Sequence, residues 1–352
     1  MSFIPFFRCV SWRCCIMLTC VFPIEASTQT LGGKSAYNFL KLPSSPFLAS
    51  VGGVNVSYRA VEVGLTANSP ALLSPDVNKQ LNVSFNAFVA GTKGYGLSGA
   101  LYSEKMQTTF GGHVSYIDYG TLPATDAAGN VMGELRPVDY VLQASAAKNY
   151  LEKWTYGLTL KFIRSAYGQY RSSAVAADVG FLYHDSVNAV TVSLVVKNMG
   201  AQIKTFAGRT EELPFDLQAG VTKRLLKAPI GFSITAQQLQ VFDILYRDSV
   251  FNRDNNIQSS SSFTTKLLTH LVAAAHLYLG ANIEASFGYN VVQRRELRVD
   301  DESNGFAGFA AGLRIRLPKL QILYARSGYQ RGIAANQIGI TMQMDRLFGL
   351  GQ

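Results

Sequence analysis

From Leu81 onward the chain alternates apolar and polar positions over most of its length. Leu81, Val83, Phe85 and Ala87 oppose Asn82, Ser84 and Asn86. Tyr156, Leu158, Leu160 and Phe162 oppose Gly157, Thr159 and Lys161, and Val190, Val192, Leu194 and Val196 oppose Thr191 and Ser193. The longest case lies within Leu277 to Asn290, where Ile283, Ala285, Phe287 and Tyr289 face away from Asn282, Glu284, Ser286 and Gly288. Ile338, Ile340, Met342 and Met344 repeat the pattern near the end. A period of two marks strands with one apolar and one polar face. The runs predict about fourteen strands, at roughly 81–90, 93–103, 107–119, 137–149, 153–167, 172–185, 188–199, 213–225, 229–238, 266–279, 282–297, 305–317, 319–329 and 335–346. Lys266 to His276 fits a helix by composition, and it is assigned to a strand because Gly280-Ala281 makes a turn into the next run.

Strand length separates lipid from a protein core as the apolar surroundings. Ordinary strands have ~5–6 residues, whereas a tilted membrane strand needs ~9–11 to cross the hydrocarbon. Many of the runs reach that length. The connections sort by parity as well. Those after even strands are short, such as Ser103 to Met106, Asp185 to Val187 and Gly280-Ala281. The long ones follow odd strands: Gly120 to Arg136, Met199 to Glu212, Leu239 to Thr265 and Arg298 to Asn304. Short periplasmic turns and longer external loops belong to an up-and-down outer-membrane barrel. Lys161, Asp178, Glu284, Arg314 and Arg316 all fall on the polar parity of their strands, as they must if the other face meets lipid. A soluble sandwich would carry Lys and Glu on its polar face, where this chain has mostly Ser, Thr, Asn, Gln and Gly. The expectation is therefore an all-β protein, an antiparallel up-and-down transmembrane β-barrel over residues 80–352.

Composition agrees. Charged residues make up 16% of the chain and apolar residues 48%, against about 25% charged in an ordinary soluble domain. No stretch has the 18 or so apolar residues of a spanning helix. Residues 1–26 read as a signal peptide: Arg8 and Arg13 precede an apolar run from Cys14 to Phe22, and Ile24-Glu25-Ala26 offers a cleavage site. A lipoprotein signal at Leu18-Thr19-Cys20 is the weaker alternative. All four cysteines lie in this segment, so an exported chain holds no disulfide, Cys-ligated metal or thiol nucleophile. The net charge of +9 is thinly spread, and nucleic acid is not an expected partner.

Residues 27–79 are not strand-like. Eight-stranded barrels fill with their own side chains, and 16–18 strands leave an aqueous channel; a fourteen-stranded barrel needs something in its lumen. The apolar residues Phe39, Leu40, Leu42, Phe47, Leu48 and Val51 predict an N-terminal hatch or plug rather than a disordered tail. Asn68, Ser69, Pro70 and Ala71, with Gly52 and Gly53, are its candidate closing residues. Asn68 to Asp76 belongs to this hatch, and Leu81 opens the first wall strand.

Familiar chemistry is sparse. Gly94 to Gly99 matches GxGxxG, but it sits in an alternating strand rather than before the helix that a dinucleotide site needs. Asn55-Val56-Ser57 and Asn82-Val83-Ser84 fit the glycosylation pattern by chance. His113, His184, His270 and His276 show no metal-ligand spacing, and His270 and His276 are expected to share one strand face. No catalytic, cofactor-binding or metal set is assigned, and the chain is expected not to be an enzyme. Leu239 to Thr265 begins with an amphipathic stretch in which Leu239, Phe242, Asp243 and Tyr246 form a candidate partner loop; packing over the barrel mouth is the equal alternative. Arg294, Arg295 and Arg298 are a candidate lipopolysaccharide rim, since Arg suits phosphate oxygens, with plain solvation as the alternative.

Ser35 to Leu40, Leu42-Pro43, Gly52-Gly53 and Asn68 to Leu73 resemble the N-terminal hatch of FadL-like outer-membrane barrels. With Leu239 to Tyr246, Thr269-His270-Leu271, Gly288-Tyr289-Asn290 and Arg294 to Leu297, the closer resemblance is to the PorQ-like barrels of the type IX secretion system, in the FadL/PorV-like family. The family's Asn-Pro-Ala is interrupted here by Ser69. The resemblance implies a non-enzymatic outer-membrane component with its external loops at the cell surface. It would hold PorZ directly, with PorU and PorV in the same attachment complex, for processing cargo and attaching it to lipopolysaccharide. A FadL-like channel for hydrophobic small molecules is the alternative. Gln337 to Met344 resembles the terminal strand signal of such barrels, with eight residues following it.

Overall fold

The computed structural model describes residues 35–126, 128–242, 244, 262–297, 305–330 and 332–345. The strands are β1 (Gln80–Ala87), β2 (Lys93–Ser103), β3 (Thr108–Asp118), β4 (Leu122–Thr125), β5 (Val131–Leu135), β6 (Val138–Tyr150), β7 (Trp154–Tyr167) and β8 (Tyr170–Asp185). They continue with β9 (Val190–Lys204), β10 (Asp216–Arg224), β11 (Ile230–Ala236), β12 (Leu271–Leu279), β13 (Ile283–Asn290), β14 (Phe309–Arg316), β15 (Leu320–Gln330) and β16 (Ile333–Gln343). Fourteen of these close into one antiparallel barrel, each pairing with its neighbour in sequence, while β4 and β5 form a separate two-stranded hairpin. The seam joins β1 to β16, with Leu81 opposite Met342 and Phe85 opposite Ile338. Closure leaves no unpaired strand edge, the condition for placing sheet in lipid.

The faces follow the alternation. Val83 and Phe85 are exposed while Asn82, Ser84 and Asn86 are buried. Leu97, Leu160, Phe232 and Phe287 are likewise exposed, against buried Ser98, Lys161, Ser233 and Ser286. Apolar residues outside and polar residues inside is the reverse of a water-soluble barrel, and lipid is the surroundings that rewards it. Tyr150, Trp154, Tyr156 and Phe181 are exposed aromatics grouped at one end of β6, β7 and β8, as at a membrane interface. An Arg in place of Leu160, midway along β7, is expected to cost about 2–4 kcal/mol, read as a lower denaturant midpoint of the folded band on unboiled gels.

Four expectations for the wall are corrected. Residues 291–296, placed in a strand, form a helix (here α3, Val291–Glu296), because the Asn290 side chain accepts a hydrogen bond from the Gln293 N–H and caps it. Lys266 to Thr269 belongs to a helix, α2 (Phe263–Thr269), and β12 begins only at Leu271. His270 caps α2 rather than sharing a strand face with His276. The connection from Gly120 to Arg136 contains the β4–β5 hairpin, whose ladder Pro123 obscures in the sequence. Residues 1–34, with the signal peptide and its cysteines, lie outside the described residues.

Inside the barrel, residues 36–79 make contact with the wall on all sides. A Cβ added at Gly157 of β7 would meet Pro70, at Gly180 of β8 Ala71, at Gly220 of β10 Ser57, at Gly288 of β13 Val51, and at Gly339 of β16 Pro46. A segment touching the inward face of strands around the whole circumference fills the lumen. Its one α-helix, α1 (Pro46–Ser50), opens on Ser45, whose hydroxyl accepts from the Leu48 N–H, with Pro46 in the first turn. The remainder is 3-10 turns at Asn38–Lys41, Val63–Leu65, Pro70–Leu72 and Pro75–Val77. Phe47, Leu48, Val51, Tyr58, Leu65 and Leu72 form its apolar centre.

Candidate functional site

Two buried polar clusters fasten the hatch to the wall, and together they make the candidate site. The first is built on Arg314 of β14. Its Nη1 donates to Glu284 of β13 at 3.0 Å, and its Nη2 donates to Glu62 of the hatch. Arg316 donates to the same Glu284, as does the phenol of Tyr58 from the hatch. The guanidinium lies 4.8 Å from the Phe47 ring centre, and Phe47, Tyr58 and His276 of β12 stack on one another in a triangle, Tyr58 4.5 and 4.4 Å from the other two and those two 5.8 Å apart. Burial pushes the Tyr58 phenol well above its ordinary pKa, so it keeps its proton and acts as a donor. Two acids and two arginines thus neutralise one another across the hatch–wall boundary, the condition for holding charges away from water.

The second cluster faces β3, β6, β7 and β9. Lys161 of β7 forms an ion pair with Asp178 of β8 at 2.6 Å and donates to the Asn198 side chain at 2.9 Å. Lys197 of β9 donates to the Asn68 Oδ1 at 2.6 Å, while the Asn68 Nδ2 donates to the carbonyl of Asn55 at 2.8 Å. A cavity of about 40 Å³ lies between this cluster and the hatch, bounded by Phe39, Leu42, Ile117 and Val141 on its apolar side.

The candidate hatch residues have distinct roles here. Asn68 is the bridge just described, despite the Ser69 that separates it from Pro70. Ser69 is fully buried. Pro70 and Ala71 seat against Gly157 and Gly180, positions that only glycine leaves open. Gly52 and Gly53 have φ of 91° and 92°, a left-handed conformation that lets the chain leave α1 without a side-chain penalty. The Gly52 carbonyl accepts from the Asn290 side chain at 2.8 Å, so the residue that caps α3 also holds the hatch. Asn55-Val56-Ser57 has a structural use: the Asn55 Oδ1 accepts from the Ser57 and Tyr58 N–H groups, and the Ser57 and Thr222 hydroxyls share a hydrogen bond at 2.8 Å.

In the partner loop, Leu239 and Phe242 are exposed, and Phe242 packs on Phe263 of α2 at 5.7 Å. Val241 and Ile244 instead pack with Val292 of α3. Asp243 and Tyr246 lie outside the described residues. Arg294 donates to the carbonyls of Gly305 and Ala307 and lies 5.7 Å from the Phe309 ring centre, tying its own loop down. Arg295 is on α3, and Arg298 lies outside the described residues.

Glu62, Tyr58 and Lys197 are the site residues that sequence reasoning missed. Glu62 carried one signal: a lone acid inside the apolar run Ala60-Val61-Glu62-Val63, where burial requires a cationic partner. No group of His, Cys, Asp and Glu among the described residues has the arrangement of a metal site.

No protein-family model matches the chain, and no curated protein does. Solved structures match in fold. The CymD monoaromatic hydrocarbon channel does so at 13% identity and a TM-score of 0.53, covering 87% of this chain and 97% of that one. The Pseudomonas putida toluene transporter TodX matches at 10% identity and 0.52, covering 85% and 97%. The Ralstonia pickettii toluene transporter TbuX matches at 10% and 0.50, covering 87% and 98%. The likeness is one of fold, and it takes in nearly the full length of each of these FadL-type outer-membrane barrels.

Proposed function

We propose that this chain is a non-enzymatic outer-membrane barrel that passes small hydrophobic molecules, with the hatch as its gate and its long loops at the cell surface. The observation that carries this reading is architectural. A lumen wide enough to conduct is filled by a separate segment, in a fold matching solved toluene transporters and a monoaromatic hydrocarbon channel along nearly their whole length. The apolar wall of the cavity, Phe39, Leu42, Ile117 and Val141, is where a hydrophobic molecule would first meet the hatch. Passage requires the hatch to shift, because about 40 Å³ holds only a few water molecules.

That tight fit favours a second reading, in which the barrel stays closed and serves as a surface anchor. Leu239, Phe242, Val131 and Met132 are exposed on the long-loop side. With the sequence resemblance, they suit a barrel of the type IX secretion system that holds PorZ directly, in a complex with PorU and PorV beside lipopolysaccharide.

One pair of measurements separates the two. Uptake of radiolabelled toluene by intact cells is expected to fall several-fold when the gene is deleted and to return with it. Unchanged uptake overturns the channel reading, and co-purification of PorZ from mild detergent would then carry the anchor reading.

A further inference from the structure

The cavity beside Asn68 has polar atoms that the protein itself leaves unanswered. His113 Nε2, Asn86 Oδ1, Gln143 Oε1 and Ser44 Oγ are buried and have no hydrogen-bond partner among the described residues, and all four residues line this one cavity. His113 is 5% exposed, and its other ring nitrogen is held by the Ser98 hydroxyl at 2.8 Å, which fixes the ring and aims Nε2 at the space. Of these four orphaned groups the Ser44 hydroxyl and His113 Nε2 can donate, while Asn86 Oδ1 and Gln143 Oε1 accept and call for a water's proton; together they make a built polar site, since each buried polar group left unmade costs about 1–3 kcal/mol.

The charges select the ligand. Lys161 and Lys197 both line the cavity. Lys161 has its carboxylate in Asp178 at 2.6 Å. Among the described residues Lys197, 8% exposed, has one hydrogen-bond partner, the neutral Asn68 side chain at 2.6 Å, and Asp178, already paired with Lys161, lies near it but beyond ion-pairing distance. Asp216 of β10 is not within ion-pairing distance of Lys197 among the described residues, and it accepts from the Gln238 N–H at 2.7 Å and from the Gln218 side chain. An ammonium with two of its three donors unmatched among the described residues, lining a small polar cavity, calls for an acceptor with negative charge.

We propose that this cavity is a binding site for a small monovalent anion of halide size, held by Lys197 with Ser44 and His113 as further donors, between hatch and wall. About 40 Å³ accommodates a halide with a water or two, at about 10–15 Å³ each; it excludes a larger organic acid. The bound anion completes the contact through which Asn68 holds the hatch, so it fastens the hatch under either functional reading above.

The test uses the full-length protein purified in detergent and crystallised from sodium bromide. An anomalous bromine peak in contact with the Lys197 ammonium is expected, and Lys197→Gln, which keeps a donor for Asn68 but removes the charge, is expected to lose it. In solution, thermal unfolding of the wild type at fixed ionic strength is expected to shift upward by a few degrees in chloride or bromide relative to gluconate, which the cavity is too small to admit. Well-ordered waters with no bromine peak in wild-type crystals would overturn the proposal. So would equal unfolding temperatures in bromide and gluconate. Should Lys197→Gln not fold, both wild-type measurements still decide.

Discussion

Arg314→Met is expected to free the hatch while leaving the barrel closed. The guanidinium is 2% exposed and is shared between Glu62 of the hatch and Glu284 of β13. Met fills much of the same volume, so the loss is of charge rather than packing. It leaves the Glu62 carboxylate buried with no cation, and removing one partner of a buried pair costs about 3–5 kcal/mol. Glu284 suffers less, because Arg316 and Tyr58 still donate to it. The strain therefore falls on the hatch side of the boundary. Amide exchange in residues 46–72 is expected to rise by two to three orders of magnitude, at about 1.4 kcal/mol per tenfold, while the wall strands keep their protection and the folded band its mobility. The double variant Glu62→Gln with Arg314→Met should recover part of the protection, since no unpaired acid is then left on the hatch. Unchanged exchange in Arg314→Met would mean that the cluster does not hold the hatch.

Much of the wall was legible in the chain because both of its faces are chemically extreme. Lipid requires Val83, Leu97 and Leu160 outside, and the plugged lumen admits Asn82, Ser98 and Lys161, so the alternation runs along most of the wall, with a break at Lys197-Asn198 of β9, where both residues are buried and the register with β8 shifts. It fails where strands leave the bilayer. Val291 to Glu296 continues an apolar-polar mixture, but Asn290 turns it into a helix, and the capping contact counts for more than the periodicity. The hatch was legible as a segment and not as a mechanism. Glu62 and Arg314 are separated by 252 positions, and no local pattern links residues across such a distance. Asn68 shows the same limit. Ser69 separates it from Pro70, yet Asn68 still bridges Asn55 and Lys197 because the hatch turn at Pro70–Leu72 is positioned by the wall glycines.

Those glycines set the second large effect, expected for Gly288→Ala. Gly288 lies on β13 with its missing side chain directed at the end of α1. A Cβ there would stand 2.2 Å from the Val51 carbonyl carbon and 2.3 Å from the Gly52 nitrogen. Both are backbone atoms, so no rotamer change relieves the overlap. The strand cannot yield either, because it is hydrogen-bonded to β12 and β14 on both sides. The hatch must therefore move, and with it the Gly52 carbonyl that accepts from Asn290. The cost is expected at or above the upper end of the ~1–3 kcal/mol typical of overpacking, larger than one methyl group normally carries. A control at Gly112 of β3, where an added Cβ meets nothing within 4 Å, should be silent. Limited trypsin digestion in detergent reads the difference: cleavage at Arg59, whose guanidinium is tied to Asp76 at 2.8 Å, should accelerate at least tenfold in Gly288→Ala and not in Gly112→Ala. If the hatch is a gate, the same substitution should also raise toluene uptake, because it displaces the plug without touching the wall's lipid face. If the barrel is a closed anchor, the faster cleavage comes with no change in uptake.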